Sequence, residues 1–458
     1  MKDSGIDMVH GSLPKKMLAF SVPLILSGLL QLVFNAVDLI VVGRYVGSTA
    51  LAAVGATSAL INLLTNLFVG LSVGTNVLTA RYIGARQDED VSETVHTSIL
   101  ISIFAGIILA GVGVTFSRPL LDLMATPANV IDQSALYMRI YFLGMPIMML
   151  YNFGSAVLRA IGDTRRPLYY LTAAGILNVF LNLFFVLVLK FGVDGVALAT
   201  VASQALAAAL VLLNLSRQEN ACAFRFQKLK LTRRKLLKIA RIGLPAGIQG
   251  CIFSLSNVVI QSSVNSFGDI AIAGNSAAMS IEGFVYISMN SFHQTVLSFT
   301  SQNYGAGEYK RIPRILAWGL LFVTSVGLGM GSLVLIFKDR LLSFYVKENA
   351  AAAIAFGSRR LLIICATYFT CGTMDVAVGA LRGLGYSITP TVVSLTGVCG
   401  FRLVWIYTYF RTHRTPEILY LSYPVSWVIT TSIHLACFFL LALPMLRKKQ
   451  PPLKEAGH

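Results

Sequence analysis

Charged residues are scarce in this sequence: Asp, Glu, Lys and Arg together make up 12% of its 458 residues. A typical soluble domain carries about 25% charged residues. Hydrophobic residues account for 55% of the chain, so a soluble protein of this composition would have too little polar surface to cover its core. The composition therefore argues against a soluble protein and favours a polytopic membrane protein.

Several motifs of enzymes and metal sites are also missing. The sequence has no HExxH, no GxSxG and no P-loop GxxxxGK[ST], which argues against an intramembrane hydrolase and against ATP-driven export by this chain alone. Its six cysteines form no CxxC pair and have no metal-ligand spacing, so we interpret them as small core residues. We predict a protein that is not an enzyme, with no cofactor and no resident metal ion.

Long apolar segments dominate what is present. Twelve of them are long enough to cross a bilayer as helices, and the first is too long for a signal peptide. The predicted spans are 17–42, 52–80, 95–117, 138–160, 167–189, 194–215, 239–266, 275–301, 315–337, 359–381, 390–410 and 422–445. The predicted fold class is an all-α polytopic membrane protein with twelve transmembrane helices.

The positive charge, a net +17, is distributed in short clusters between the apolar segments. This pattern is typical of topology signals rather than of nucleic-acid binding, and the loops on the side of both termini hold more Lys and Arg. We therefore predict an inner (plasma) membrane protein with both termini in the cytoplasm. The densest cluster, 225–238, either binds anionic membrane lipids or acts as a basic linker, at about 217–238, between two halves.

The two halves contain similar words. Leu158-Arg159, Gly162 and Pro167 recur as Leu381-Arg382, Gly385 and Pro390, each 223 residues later, and Pro23 recurs as Pro245 after 222 residues. Each half holds six predicted spans, so the repeats share one orientation in the membrane. We predict two pseudo-symmetric six-helix bundles, an N-lobe of residues 1–225 and a C-lobe of residues 226–458. We interpret Arg159 and Arg382 as cations that stabilise helix C-termini.

An acid in the first apolar segment points to transport. Asp38 lies at helical spacing from Gln31 and Asn35, so one helix face carries an acid and two amides. Intramembrane acids face a cavity or a partner and commonly mark an ion or substrate path. We predict that Asp38 and Asn35 belong to a cation-coupling site; the alternative is an acid that only hydrogen-bonds neighbouring helices.

A second pair of amides, Asn178 and Asn182, shares a face of the fifth span because the residues are four apart. If they meet Asp38, the site offers one carboxylate and several amide groups, which suits sodium or a protonatable acid. A single carboxylate offsets cation dehydration poorly, so we favour the proton slightly over sodium. The competing interpretation is that the amides are interhelical hydrogen-bonding residues.

Weaker candidates for a substrate cavity are other polar residues inside predicted spans. For His293, a hydrogen-bonded core histidine is the stronger alternative to a proton sensor. Arg402 needs a partner, and we expect Asp375 or Glu282 to provide it. The full set of cavity candidates is Gln31, Asn152, Glu282, His293, Asp375 and Arg402.

Several short motifs, taken together, resemble those of the multidrug and toxic compound extrusion (MATE) family of efflux transporters, bacterial type. The resemblance covers residues 12–446. Its words are Val37-Asp38-Leu-Ile-Val-Val-Gly43-Arg44, Ala50-Leu-Ala-Ala-Val-Gly55, Leu158-Arg159-Ala-Ile-Gly162-Asp163, Gln302-Asn303-Tyr304-Gly305-Ala306-Gly307 and Leu381-Arg382-Gly383-Leu-Gly385. The resemblance implies a V-shaped pair of bundles that exports small organic, cationic or amphipathic compounds in exchange for H⁺ or Na⁺.

The resemblance maps the functional acid of the first helix onto Asp38. Many bacterial relatives place an Asn and then an Asp in the fifth helix, whereas this chain has Asn178 and Asn182, so the second acid is missing. The expected partners are a small-molecule substrate and membrane lipids, with no nucleic acid, and we expect a monomer. The alternative function is a flippase for a lipid-linked precursor, which would need a strongly basic cavity.

Overall fold

The structure is a computed structural model that describes residues 5–124, 126–345 and 350–449, and all the regular elements in these ranges are helices. The helices are α1 Leu13–Val41, α2 Ser48–Gly84, α3 Asp88–Leu123, α4 Ile131–Leu143, α5 Met145–Ile161, α6 Arg165–Leu183, α7 Val193–Ser216, α8 Arg233–Asn265, α9 Asp269–Gly305, α10 Ile312–Ser343, α11 Ala350–Thr367, α12 Phe369–Gly383, α13 Ile388–Ser394, α14 Phe401–Tyr407, α15 Tyr409–Thr412, α16 Pro416–Cys437 and α17 Leu443–Lys448. Short 3₁₀ turns lie at Phe226–Lys228 and Tyr309–Arg311. The all-helical fold class is confirmed.

Helices of the described residues cover all twelve predicted spans if each of two bent helix pairs is counted as one span. Within the described residues, ten helical stretches are long and apolar enough to cross a membrane, and two bent helix pairs bring the number to twelve. The bent pairs, α4 with α5 and α11 with α12, turn by 49° and 45°. These two spans begin earlier than predicted, at Ile131 and Ala350.

The two bends have different local causes. Pro146, in the first turn of α5, has no backbone N–H to donate toward α4. Between α11 and α12 there is no proline, but the hydroxyl of Thr367 donates to the carbonyl oxygen of Ile363 at 2.8 Å, and that of Thr370 donates to Thr367 at 2.7 Å. Such back-bonding by threonine competes with the helical ladder and bends helices.

Four spans contain a π-helical segment, in which one extra residue is inserted into the turn. In the first half one π segment follows α1 and one follows α6; in the second half one lies between α13 and α14 and one between α16 and α17. The segments are Val42–Val46, Phe184–Val188, Leu395–Gly400 and Phe438–Ala442. An inserted residue shifts every later side chain of that helix by one position.

In each half, the repeated helix–turn motif ends at a glycine whose backbone has a left-handed conformation. The φ angle is 97° at Gly162 and 93° at Gly385, a region that residues with a Cβ rarely adopt. In the motif of the first half, Gly162 caps the C-terminus of α5. This geometry accounts for the repeated Arg-x-x-Gly spacing, and the last turns of α5 and α12 carry Arg159 and Arg382 as predicted.

The chain divides into two compact units, each of them discontinuous in sequence. The first, called here the N-terminal unit, comprises Val22–Thr79 and Gln87–Leu255 with residues 5–6; the second, the C-terminal unit, comprises Asp7–Ser21, Ala80–Arg86 and the described chain from Ser256. The first part of α8 thus belongs to the N-terminal unit. The predicted lobe boundary at 225 and 226 stays a prediction, and the extreme termini lie outside the described residues.

Two glycines bring α2 and α8 together within the N-terminal unit. A Cβ added to Gly70 would lie 2.2 Å from the backbone nitrogen of Gly247, and one added to Gly247 would lie 2.2 Å from the carbonyl oxygen of Leu67. Only residues without a side chain allow two helix backbones to approach this closely.

The basic segment 225–238 is not uniformly solvated. Lys235, in the first turn of α8, is buried, is hydrogen-bonded to Asp90 and lies 3.8 Å from Glu93 at the start of α3. The backbone N–H of Arg225 donates to Nε2 of His96 at 3.0 Å. The linker therefore packs against α3 within the N-terminal unit, while most of its remaining cations are exposed.

Candidate cation-coupling pocket

Asp38 lies near the end of α1 and is partly buried. The side-chain amide of Asn182, on α6, donates a hydrogen bond to its Oδ1 at 2.5 Å. The same amide nitrogen lies 3.2 Å from Oδ1 of Asn178, one turn earlier on α6. Asn182 therefore contacts Asp38 directly, and Asn178 contacts Asn182.

The carboxylate of Asp38 has no basic partner. No Lys, Arg or His of the described chain forms an ion pair with it. Asn182 is fully buried, and its own Oδ1 has no hydrogen-bond partner. The group is thus an acid with one amide donor, beside an amide oxygen that can accept a further contact.

A small cavity of about 40 Å³ adjoins Asp38. It is lined by Gln31, Phe34, Asn35, Asp38, Leu171, Ala174, Gly175, Asn178, Thr200, Ser203 and Gln204. A cavity needs roughly 10–15 Å³ to hold one water molecule, whereas sites for organic ligands measure about 300–1,000 Å³. The cavity therefore suits a water molecule or a small cation and is too small for a drug.

Three residues of α1 that were predicted to share a helix face line this cavity. Gln31, Asn35 and Asp38 point to it from one face of α1, as their spacing predicts, and Asn178 reaches it from α6. Gln31, predicted as part of a substrate cavity, lies in this ion-sized pocket. Thr200, Ser203 and Gln204, on α7, were not predicted; their three- and four-residue spacing was the only signal in the sequence.

The C-terminal unit buries a different carboxylate. Glu282, on α9, is 5% exposed and accepts two hydrogen bonds from Arg360, on α11, at 2.8 and 2.7 Å. Arg360 also donates to Oδ1 of Asn275 at 3.0 Å, and the hydroxyl of Tyr420 donates to the same oxygen at 3.0 Å. Glu282 is therefore neutralised inside a closed network.

The sequence and the fold are similar to those of known proteins. The model of the MatE family matches residues 23–184 and again 245–408, so most of the chain is covered by two copies. The chain belongs to the MatE family. It is 30% identical over 426 residues to the "Probable multidrug resistance protein YoeA" of Bacillus subtilis (strain 168), covering 91% of each chain.

A second relative from Bacillus subtilis (strain 168), the "Probable multidrug resistance protein YpnP", is 28% identical over 389 residues, covering 85% of this chain and 86% of that protein. A solved structure described as "Crystal structure of MATE in complex with MaL6" superposes with a TM-score of 0.90 at 20% identity, covering 97% of this chain and 99% of that one. The structural likeness shows that the chain has the MATE fold. The family and the apolar helices indicate a multi-pass membrane transporter.

The prediction that Asp375 or Glu282 pairs with Arg402 is wrong. Glu282 is held by Arg360, and no ion pair within the described residues joins Arg402 to Glu282 or Asp375. Arg402 instead donates from Nε to the hydroxyl of Ser426 at 3.0 Å. Arg360 was missed because the pair Arg359-Arg360 stands at the start of the predicted span 359–381, where Lys and Arg are typical of a topology signal.

The remaining candidates are not among the residues that line the Asp38 pocket. The Nδ1 atom of His293 is 2.6 Å from the backbone carbonyl oxygen of Asp375, and His293 is buried. Tyr286 and Asn290 hydrogen-bond the Asp375 carboxylate. Asn152 donates to the carbonyl oxygen of Met148 at 2.9 Å, within α5. The contacts of His293 match those of a hydrogen-bonded core histidine, and a substrate role for these residues stays a prediction.

Proposed function

We propose that this MATE-family protein is a secondary active antiporter that exports small organic compounds, cationic or amphipathic, in exchange for H⁺ or Na⁺. The observation that carries the proposal is a carboxylate, Asp38, with no basic partner beside a cavity of about 40 Å³. An intramembrane charge of this kind is costly unless a cation or proton can neutralise it. The names of the two Bacillus subtilis relatives, probable multidrug resistance proteins, support organic compounds as cargo.

Asn182 gives the pocket two alternative arrangements. When Asp38 is ionised, the amide nitrogen of Asn182 donates to it, as in the structure. When a cation or proton neutralises Asp38, that hydrogen bond weakens, because hydrogen bonds to charged groups contribute about 1.5–3 kcal/mol and neutral ones about half of that. Rotation of the amide would then direct its oxygen toward a bound cation.

Coupling requires that the ion bind one conformation of the transporter better than the other. Only such a difference in affinity can shift the balance between inward-open and outward-open states. We propose that occupation of Asp38 favours the state with low affinity for the exported compound. The single carboxylate favours the proton as coupling ion, because it offsets the dehydration of sodium poorly.

We further propose that the protein lies in the inner membrane with both termini in the cytoplasm, works as a monomer and catalyses no reaction. The exposed cations of the α7–α8 linker support the orientation. Anionic membrane lipids are the partners that these cations would contact.

The proposal is tested by efflux of ethidium, a fluorescent organic cation, from reconstituted vesicles under an imposed pH gradient or an imposed sodium gradient. We expect Asp38→Asn to reduce gradient-driven efflux to the level of vesicles without protein, because the variant keeps the shape of the side chain and removes its charge. Asp132→Asn is the matched control, since Asp132 is an exposed acid paired with Arg118 in the same unit.

Two results would count against the proposal. Undiminished gradient-driven efflux by Asp38→Asn refutes the role of Asp38. Efflux that follows a sodium gradient and ignores a pH gradient overturns the preference for the proton while leaving the antiport mechanism in place.

A further inference from the structure

The repeat allows the Asp38 pocket to be traced into the second half of the chain. Helices α7 and α16 begin at Val193 and Pro416, which are 223 residues apart, the same separation as Arg159 and Arg382. The α7 residues that line the Asp38 pocket therefore have direct counterparts on α16. The pairs are Thr200 with Tyr423, Ser203 with Ser426, and Gln204 with Trp427.

The π segment Leu395–Gly400 changes the correspondence in the neighbouring span. Pro167 and Pro390 are 223 residues apart, but the segment inserts one residue after Pro390. In the first half the matching insertion, Phe184–Val188, comes only after Asn182. Corresponding residues that follow the insertion in the second half, but precede the one in the first half, are therefore 224 residues apart. Asn178 thus corresponds to Arg402.

The contacts of Arg402 agree with this correspondence. Its Nε donates to Ser426 at 3.0 Å, and its guanidinium carbon lies 4.0 Å from the ring centre of Tyr423 and 5.6 Å from that of Trp427. These are the same three α16 positions that match the pocket-lining residues of α7. Arg402 therefore occupies the C-terminal counterpart of the ion pocket.

The charge of this counterpart is inverted. Asp38 corresponds to Ile260 at the 222-residue separation of Pro23 and Pro245, and Ile260 is buried in an apolar cluster with Ile406. The C-terminal counterpart thus has Ile260 in place of Asp38 and Arg402 in place of Asn178.

Arg402 lacks the anion that a buried guanidinium needs. It is 5% exposed, its Nη2 has no hydrogen-bond partner, and no described carboxylate forms an ion pair with it. The adjacent Arg360 shares the Tyr423 ring, at 5.4 Å, but is neutralised by Glu282. Aromatic faces offset part of the desolvation of a cation, whereas a carboxylate would form charge-assisted hydrogen bonds as well.

A row of aromatic rings connects Arg402 to an exposed side chain. Trp427 stacks on Tyr368 with ring centres 5.3 Å apart, and Tyr368 stacks on Tyr286 at 6.5 Å. Tyr286 is 40% exposed, whereas Trp427 is 4% exposed. The row of aromatic side chains therefore runs from the exposed Tyr286 to the buried guanidinium of Arg402.

We propose that Arg402, with Tyr423, Ser426 and Trp427, forms a subsite in the C-terminal unit for the anionic oxygen group of an aromatic organic compound. The subsite deepens the proposed transport function and rests on it, and it extends the substrates from cations to organic anions. The guanidinium binds the carboxylate, and the aromatic side chains around it contact the ring of the compound.

The proposal is tested by calorimetric titration of the purified full chain with 2-naphthoate and with 2-naphthamide, its neutral analogue of the same shape. We expect the wild type to bind the carboxylate about tenfold more tightly or better, because hydrogen bonds to charged groups are stronger than neutral ones. Arg402→Gln should bring the ratio of the two affinities to about one. Arg402→Lys should keep part of the preference, since it keeps the charge but loses the planar fork.

Several outcomes overturn the subsite: equal binding of both compounds by the wild type, a preference that survives in Arg402→Gln, or displacement of naphthoate by sodium chloride at similar concentration, which would indicate an inorganic anion site. Thermal unfolding shows whether each variant is folded; if Arg402→Gln is not, Arg402→Lys and the wild-type ratio still decide. Titration needs no ion gradient, so failure here is distinct from failure of the Asp38→Asn efflux test.

Discussion

Asp38 and Glu282 are both acids on membrane-spanning helices, but their surroundings differ. Asp38 is partly exposed, adjoins a cavity and receives one hydrogen bond from an amide. Glu282 is 5% exposed and is clamped through two oxygens by Arg360, which is fixed in turn by Asn275. The first carboxylate has no counter-charge among the described side chains, whereas the second is paired with an arginine.

The difference shows that an acid in a transmembrane helix does not by itself identify a coupling site. Burial with a fixed arginine gives a structural ion pair, and removal of one partner leaves an uncompensated buried charge. An acid surrounded by amides can accept a cation, because amides do not neutralise it. The two sites therefore predict opposite balances between loss of stability and loss of transport.

The largest expected effect is on the Glu282 side. Arg360→Met should lower the free energy of unfolding by about 3–5 kcal/mol, because Glu282 would remain buried without its partner. Chemical unfolding of the purified protein in detergent measures the change. Asp38→Asn should alter stability far less in the same experiment.

The matched control is the double variant Glu282→Met with Arg360→Met, which removes both charges and keeps apolar volume. It should recover most of the lost stability, because an apolar pair of similar size replaces a buried ion pair at little cost. A double variant as unstable as Arg360→Met would show that the charge left on Glu282 is not the cause.

An intermediate effect is expected when the Asp38 pocket is filled without a change in charge. A Cβ added to Gly175 would lie 1.9 Å from the ring of Phe34, which lines the same cavity and would have to move. Gly175→Ala should therefore lower the rate of gradient-driven efflux by about tenfold, in line with overpacking costs of about 1–3 kcal/mol.

Gly55→Ala serves as the control for that efflux measurement. A Cβ on Gly55 meets no atom within 4 Å, and the residue belongs to the same unit. Equal efflux rates for the two glycine variants would contradict the assignment of the cavity to the coupling ion.

The smallest expected effect concerns the edge of the Glu282 network. Tyr420→Phe removes the hydrogen bond of 3.0 Å to Asn275 and should destabilise the protein by about 1 kcal/mol. Tyr407, 67% exposed, provides the control variant Tyr407→Phe, which should leave the unfolding free energy unchanged. A larger loss in Tyr407→Phe than in Tyr420→Phe would be inconsistent with the network.

Hydropathy and helical spacing predicted much of the fold and part of the pocket. The twelve spans were predictable because a bilayer imposes a minimum apolar length. Asp38, Asn35 and Gln31 were predictable as one group because residues three or four apart share a helix face. The contact of Asn182 with Asp38 was anticipated from polarity and from the family resemblance, since spacing alone gives no distance between helices.

The contacts between distant helices could not be predicted in the same way. Arg360 stands at the start of a predicted span, where Lys and Arg are expected whatever their partners, and Glu282 is 78 residues away. The π segment Leu395–Gly400 has no recognised sequence signal, yet it decides which residue of that span faces α16. Pairing in such cases depends on the rotation of each helix, which a hydropathy pattern does not specify.

The close approach of Gly70 and Gly247 has a consequence for dividing the gene. A fragment ending at residue 225, at the sequence boundary of the repeat, would lack the first part of α8. The backbone of α2 at Gly70 would then lack the helix that packs against it. The sequence repeat and the compact N-terminal unit therefore end at different residues, and a fragment cut at the repeat boundary would lose the contact between α2 and α8.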